Sequence, residues 1–121
     1  MSTIVSYRDL RVWQRAMDLA DMVYRITDRF PPVERFGLSL HMRKTAVSVP
    51  SNIADGSRHR RPGYISRVVI ALGEHAELET QMLVAERRGY ARADDIAEFN
   101  TLSAQVGQLA HALLRSLEAL E

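Results

Sequence analysis

The stretch VWQRAMDLADMVYRITDRF, residues 12–30, carries a clear helical signal in this chain of 121 residues. Its apolar residues recur at steps of four and three positions, which is the spacing of one face of an α-helix. These residues are Val12, Ala16, Leu19, Val23, Ile26 and Phe30. Three later segments repeat the spacing, and no stretch sustains an alternation of apolar and polar residues at a period of two. The sequence therefore predicts an all-α protein.

Each of the three later segments predicts one buried face. The predicted faces are Leu38, Met42, Ala46, Val49 and Ile53 in the second segment, Ile65, Val68, Leu72, Ala76 and Leu83 in the third, and Ile96, Phe99, Leu102, Val106, Leu109, Leu113 and Leu120 in the fourth. Amphipathic helices of this kind bury their apolar faces against one another. Four such helices joined by short loops form an up-and-down antiparallel four-helix bundle.

Proline and glycine residues separate the four segments. The gaps are Pro31-Pro32, Gly56 to Gly63 and Gly89 to Ala93, and the expected helices span residues 9–30, 33–55, 62–88 and 94–120. Asp9 is the expected cap of the first helix, because a side-chain carboxylate accepts hydrogen bonds from free backbone N–H groups there. At this length we expect residues 1–121 to form one domain.

The composition excludes several classes of chemistry. The chain has no cysteine, so disulfides, thiol catalysis and cysteine-bound metals are excluded. No acidic residue has a histidine three positions later, which argues against a di-metal site, and His75 with Glu79 reads as a pair on a helix surface. We find no catalytic constellation, and the longest apolar run is too short to span a membrane. The expected protein is non-enzymatic and cytoplasmic, without cofactor or metal.

A basic run stands out against the formal net charge of +1. Residues 57–67 carry four arginines and no acidic residue, whereas residues 92–121 carry two basic and five acidic residues. Guanidinium groups match phosphate oxygens in bidentate geometry. The run predicts either contact with RNA or another polyanion, or merely a solvated loop. Its residues are Arg58, Arg60, Arg61 and Arg67, and Arg43 and Lys44 add to them if that surface of the second helix faces the same way.

A polar cluster is expected between the second and third helices. Ile65, Leu72, Glu79 and Glu86 are spaced by sevens, which places Glu79 in line with apolar residues. A buried carboxylate requires partners. The expected partners are the polar side chains around Pro50, namely Ser48, Ser51 and Asn52. We interpret the set as a structural lock that fixes the register of the two helices, with a functional pocket at the same place as the alternative.

The first helix carries a second apolar stripe, made of Trp13, Met17, Ala20 and Tyr24. One interpretation is a wide face that packs into the core. The other is a subunit interface, since Trp, Tyr and Met are enriched in such surfaces.

Several motifs resemble one known family, the four-helix-bundle proteins encoded in bacterial 23S rRNA intervening sequences. They are YRDLRVWQ at 7–14, AVSVPSNIADG at 46–56, ALG at 71–73, AELETQ at 76–81 and Gly89-Tyr90. The second is similar to the family motif V-S-I-P-S-N-I-A-E-G, with Asp55 in place of Glu. Glu74-His75 also replace a more typical Ser-Leu. The match extends from about Tyr7 to Leu117.

The resemblance implies a four-helix bundle without enzymatic activity that forms homo-oligomeric rings, typically pentamers. Related bundle proteins act as accessory factors of diversity-generating retroelements and bind nucleic acid and a reverse transcriptase through basic surfaces. We therefore expect a homo-oligomer that contacts RNA or another nucleic acid through the basic run. The alternative is a protein-interaction scaffold that uses the apolar surface of the first helix and binds no nucleic acid.

Overall fold

The computed structural model describes residues 6–120, and in that range the protein consists of four α-helices and two 3₁₀ turns. The helices are α1 (Arg11–Thr27), α2 (Leu38–Ser57), α3 (Arg61–Arg87) and α4 (Ala93–Glu118), and the turns are Tyr7–Asp9 and Pro32–Glu34. No residue of the described range lies in a β-strand. The prediction of an all-α protein with four helices is confirmed.

The helices form a bundle in which each packs against two neighbours, in the order α1–α2–α3–α4 with α4 beside α1. Neighbouring helices run in opposite directions. Arg67, early in α3, pairs with Asp55, late in α2, whereas Gln81 donates to Thr45 near the start of α2. The bundle therefore has one end at which α1 and α3 begin and α2 and α4 finish, and an opposite end at which the reverse holds.

Three of the four predicted faces lie in the core. All six apolar residues named in α1 and the segment that follows it are buried, and so are Met42, Ala46, Val49 and Ile53 of α2. In α4, Ile96, Phe99 and Val106 are buried while Leu102, Leu109 and Leu113 pack against the core at its edge. Burial of such side chains stabilises a fold by about 1.5–3 kcal/mol each.

The buried face of α3 differs from the prediction. Its buried residues are Val68, Ala71, His75, Leu78, Met82 and Ala85, of which the sequence predicted only Val68. Leu83, predicted to be buried, is 57 % exposed. The physical reason is that α3 has apolar residues on every side, so periodicity alone cannot select the face that packs.

Two helix boundaries also differ from the prediction. Asp9 does not cap α1; it lies in the first 3₁₀ turn, where its carboxylate accepts the backbone N–H of Ser6 at 3.1 Å, and α1 begins only after Leu10. The second helix begins at Leu38 rather than at 33, because the prolines favour a 3₁₀ turn first. It also continues through Gly56 to Ser57.

Glu34 holds the start of α2 against the turn between α3 and α4. Its carboxylate accepts hydrogen bonds from the backbone N–H of Leu38 at 3.1 Å and from the hydroxyl of Tyr90 at 2.9 Å. These two bonds, with the nearby positive charge of Arg88, lower the pKa of Glu34 below its ordinary value of 4.5. The carboxylate is therefore the form that the folded protein favours.

The variant Glu34→Gln is expected to lower the melting temperature at neutral pH. Because the pKa of Glu34 is lowered in the folded protein, its contribution to stability is present above the unfolded pKa and is lost as the pH falls through the folded pKa. Thermal unfolding of the variant and the wild type should therefore differ at pH 7 and converge at strongly acidic pH. In the control Glu86→Gln, which changes an exposed carboxylate of α3, we expect no such convergence. A difference for Glu34→Gln that is independent of pH would contradict the assignment.

Candidate functional site

The basic run lies at the end of the bundle at which α1 and α3 begin. The guanidinium of Arg58, just after α2, lies 5.9 Å from the ring centroid of Tyr7 in the first 3₁₀ turn, and that of Arg8 lies 5.8 Å from the same ring. Arg61 donates a hydrogen bond to the backbone carbonyl of Leu120 at 2.9 Å. Segments near residues 8, 60 and 120 thus meet here, and Arg8, which the sequence analysis missed, joins the group.

The predicted arginines are not equivalent in the structure. Arg67 donates from Nε to Asp55 at 2.9 Å and lies 3.5 Å from the side-chain oxygen of Asn52, so its charge is largely neutralised. Arg58 and Arg60 are exposed and have no carboxylate within ion-pair distance in residues 6–120. We name the group Arg8, Arg58, Arg60 and Arg61 the basic end.

Tyr64 lies beneath this loop and adds no charge to it. A Cβ on Gly56 would lie 3.1 Å from the Tyr64 ring and 2.8 Å from the Cβ of Arg67, so α2 and α3 approach closely only because residue 56 is glycine. Burial raises the pKa of the Tyr64 hydroxyl above its ordinary value of 10.0. The phenol therefore stays neutral and the basic end keeps its positive charge.

Arg43 and Lys44 lie away from the basic end. Fifteen residues of helix separate Arg43 from Arg58, about 22 Å at 1.5 Å per residue. The guanidinium of Arg43 is also occupied, since it donates to the hydroxyl of Thr27 at 2.8 Å and to the carboxylate of Asp28 at 2.7 Å. The expectation that Arg43 and Lys44 extend the basic run is therefore wrong.

Arginines at the opposite end are paired with carboxylates. Arg25 pairs with Glu98 at 3.2 Å, and Arg29 pairs with Asp95. These pairs join the end of α1 to the start of α4, where the acidic residues of the C-terminal segment lie. The charge of the folded chain is thus polarised along the bundle.

The predicted lock between α2 and α3 exists, but Glu74 supplies its carboxylate instead of Glu79. The hydroxyl of Ser48 lies 2.9 Å from Glu74 and 2.6 Å from the carbonyl of Thr45, while the amide of Asn52 donates to the carbonyl of Ser48 at 2.8 Å. Pro50 is buried beside them. The residues of α3 that face α2 are 67, 74 and 81, because α3 packs in a different rotation from the predicted one.

The remaining two members of the predicted lock lie elsewhere. Ser51 is exposed and lines the outer surface between α1 and α2. The side chain of Glu79 is 47 % exposed and faces α4, where it accepts a hydrogen bond from the hydroxyl of Ser103 at 2.8 Å. Both placements follow from the rotation of α3 and contradict the predicted set.

His75 forms a buried polar contact between α3 and α4. It is 7 % exposed, and its Nε2 lies 2.8 Å from the hydroxyl of the fully buried Ser103. The ring fits because a Cβ on Gly107 would lie 3.1 Å from its Cε1 atom. The interpretation of His75 and Glu79 as a surface pair is therefore wrong. Since Ser103 is closed off from solvent, this trio joins two helices and offers no nucleophile to a substrate.

The variant Ser103→Ala is expected to destabilise the protein by about 1–3 kcal/mol, because it leaves a buried ring nitrogen of His75 without a partner. The double variant His75→Leu with Ser103→Ala removes both polar groups and should recover most of that loss. Chemical denaturation of the wild type, both single variants and the double variant measures the coupling. Additive losses in this cycle would contradict a direct bond between the two side chains.

An apolar groove runs along the outer surface between α1 and α2. Its volume is about 320 Å³, and its principal lining residues are Trp13, Met17, Tyr24 and Val47. Trp13 is half-buried against the core, whereas Met17 is 39 % exposed and Tyr24 is 45 % exposed. Ala20, the fourth residue of the stripe, is buried. The second stripe of α1 is thus partly core and partly the wall of an open groove.

Two further classes of site were searched for in residues 6–120. No group of three or more histidine, aspartate or glutamate side chains in that range could hold a metal ion. None of the helices described there combines the length and the apolar character needed to cross a membrane.

Comparison with known proteins identifies the family. No curated protein matches the sequence. The fold is similar to the crystal structure of a protein of unknown function from the S23 ribosomal protein family of Bacteroides thetaiotaomicron VPI-5482, with a TM-score of 0.79 and 19 % identity over 86 % of this chain and 95 % of that one. The family model of the 23S rRNA-intervening sequence protein matches residues 8–112. The resemblance of the sequence motifs is thereby confirmed, and the chain belongs to the 23S rRNA-intervening sequence protein family.

Proposed function

We propose that this protein is a non-enzymatic, self-associating four-helix bundle that binds RNA through the phosphates of a single strand. The observation that carries the proposal is the basic end, where three segments distant in sequence bring Arg8, Arg58, Arg60 and Arg61 together. The nearby carboxylate of Asp55 is already paired with Arg67. The positive charge of these arginines therefore remains available to an anion.

The chemistry of the basic end suits a phosphate backbone rather than a particular base sequence. Guanidinium groups bind phosphate oxygens in bidentate pairs. The ring of Tyr7 packs edge-on against Trp13 at 5.3 Å and has Arg8 and Arg58 near it, so it is already engaged by protein. Binding by backbone contacts alone predicts little discrimination between sequences. Self-association would place several basic ends in one particle and multiply the attraction.

Binding to a single-stranded RNA should depend strongly on salt. If the four arginines each neutralise one phosphate, the logarithm of the association constant should fall with the logarithm of salt at a slope of about −3 per protomer. Fluorescence anisotropy of a labelled oligonucleotide between about 50 and 200 mM salt measures this slope. An affinity that does not change with salt, or no binding at the lowest salt, would overturn the proposal.

The apolar groove favours a second candidate function, that of a protein-interaction scaffold without nucleic-acid binding. Met17 and Tyr24 offer the kind of exposed, partly apolar surface that is enriched in protein interfaces. The two candidates differ in what accompanies the purified protein. RNA binding predicts a raised ratio of absorbance at 260 nm to that at 280 nm after purification at low salt, whereas a scaffold without RNA binding predicts the ratio of protein alone.

A further inference from the structure

We infer that the apolar groove of one protomer is filled by the outer stripe of α3 from a second copy of this chain. The inference rests on the self-association proposed above and names the surface that meets the groove. The outer stripe consists of Val69, Gly73, Ala76, Thr80 and Leu83. No carboxylate or cationic group belongs to it, which is unusual for the outward face of a helix.

The outer stripe is an apolar surface that the bundle itself leaves open. Its members recur at steps of four and three, all five are exposed, and together they span about 21 Å at 1.5 Å per residue. Val69 is 51 % exposed, and a Cβ on Gly73 would have no heavy atom within 4 Å. Residues of this size in the middle of a stripe allow another surface to approach the helix backbone closely.

The shapes of the two surfaces are complementary. Large side chains wall the groove, whereas the middle of the outer stripe has only Gly73, Ala76 and Thr80. The charges beside them are complementary too. Lys44 borders the apolar groove and Glu77 borders the outer stripe, and both are exposed without an ion pair in residues 6–120. A second copy therefore supplies both the apolar surface and the opposite charge.

The groove and the stripe also lie at the same height along the bundle. The bond of 2.9 Å between Ser48 and Glu74 fixes the neighbouring residues Val47 and Gly73 at one level. A copy related by rotation about an axis parallel to the bundle keeps that level, so its stripe reaches the groove without a shift. Because two different faces meet, the contact is heterologous, and it repeats from copy to copy until the rotation closes.

Chemical cross-linking tests which faces meet, since the chain has no cysteine of its own. Val47→Cys places a thiol in the apolar groove, and Ala76→Cys places one in the outer stripe. When the two single variants are co-expressed and treated with a short bismaleimide, we expect a covalent dimer of twice 13.7 kDa. Either variant alone should give at least about tenfold less dimer, because like faces do not meet in a heterologous contact.

Gln108→Cys is the matched control, because this residue follows Gly107, which lies at the level of His75, and is exposed on α4. Its co-expression with Val47→Cys should give no dimer above the background of the single variants. A dimer of Val47→Cys alone would overturn the inference in favour of two grooves face to face. An oligomer by light scattering without the 47–76 cross-link would overturn the assignment of the stripe but leave self-association standing. A protomer mass would overturn both, and neither result bears on RNA binding.

Discussion

A variant in which Arg8, Arg58, Arg60 and Arg61 are all replaced by serine is expected to bind single-stranded RNA about 10³-fold more weakly than the wild type at about 0.1 M salt. Each phosphate contact contributes a slope of about 0.7, so four contacts amount to about three decades between 0.1 M and 1 M salt. Loss of the contacts removes that contribution. Anisotropy titrations of the variant should show a slope reduced by about 3 relative to the wild type.

The matched control removes the same number of charges from the opposite end of the bundle. Replacing Arg25, Arg29, Arg35 and Arg87 with serine lowers the net charge equally but leaves the basic end intact. This control should retain most of the affinity and the slope. Equal losses in both variants would show that net charge, and no defined surface, governs binding. Circular dichroism of both variants establishes that the helices persist.

Most of the fold could be predicted from periodicity because three helices have apolar residues on one side only. In α2, Met42, Ala46, Val49 and Ile53 leave a single way to pack the helix. In α3, Val69 and Leu83 are as apolar as the buried Val68 and Leu78. The pairing with α2 and α4 decides which of these faces the core, and a sequence alone does not contain that tertiary information.

The basic end was only partly predictable for a related reason. Arg58, Arg60 and Arg61 adjoin in sequence, so a count of charges finds them. Arg8 joins them through the ring of Tyr7, a contact that bridges fifty residues of sequence. Arg67 leaves the group because it faces α2 and meets Asp55. Pairing of opposite charges across two helices depends on their rotation, which composition does not specify.

The polar lock shows the consequence of one incorrect rotation. The sequence indicated rightly that Ser48 and Asn52 need a partner across the helix pair, because a proline within α2 leaves polar groups near the interior. The rotation of α3 brings Glu74 to Ser48 and turns Glu79 towards Ser103. His75, read as a surface residue, becomes a buried contact of α4 by the same rotation.

The double variant Met17→Lys with Val47→Lys is expected to reduce self-association by at least about 10³-fold, because burying an ammonium group in an apolar interface costs about 2 kcal/mol or more at each position. The protomer should tolerate both changes, since each side chain is about two-fifths exposed in the bundle. Light scattering should therefore report a mass near 13.7 kDa, with a melting temperature close to that of an oligomer-free reference. Ala104→Lys with Gln108→Lys adds the same two charges to exposed positions of α4 and should leave the mass of the wild type unchanged.

The groove variant also separates the contribution of one basic end from that of the assembly. Its four arginines at the basic end are intact, so a protomer should still bind RNA with a slope of about −3. The wild-type particle should show a steeper slope, because several basic ends engage one strand. If the groove variant keeps the wild-type mass, the apolar groove is not the interface. If it becomes a protomer with an unchanged slope and affinity, then RNA binding is a property of the single bundle, and self-association serves another purpose.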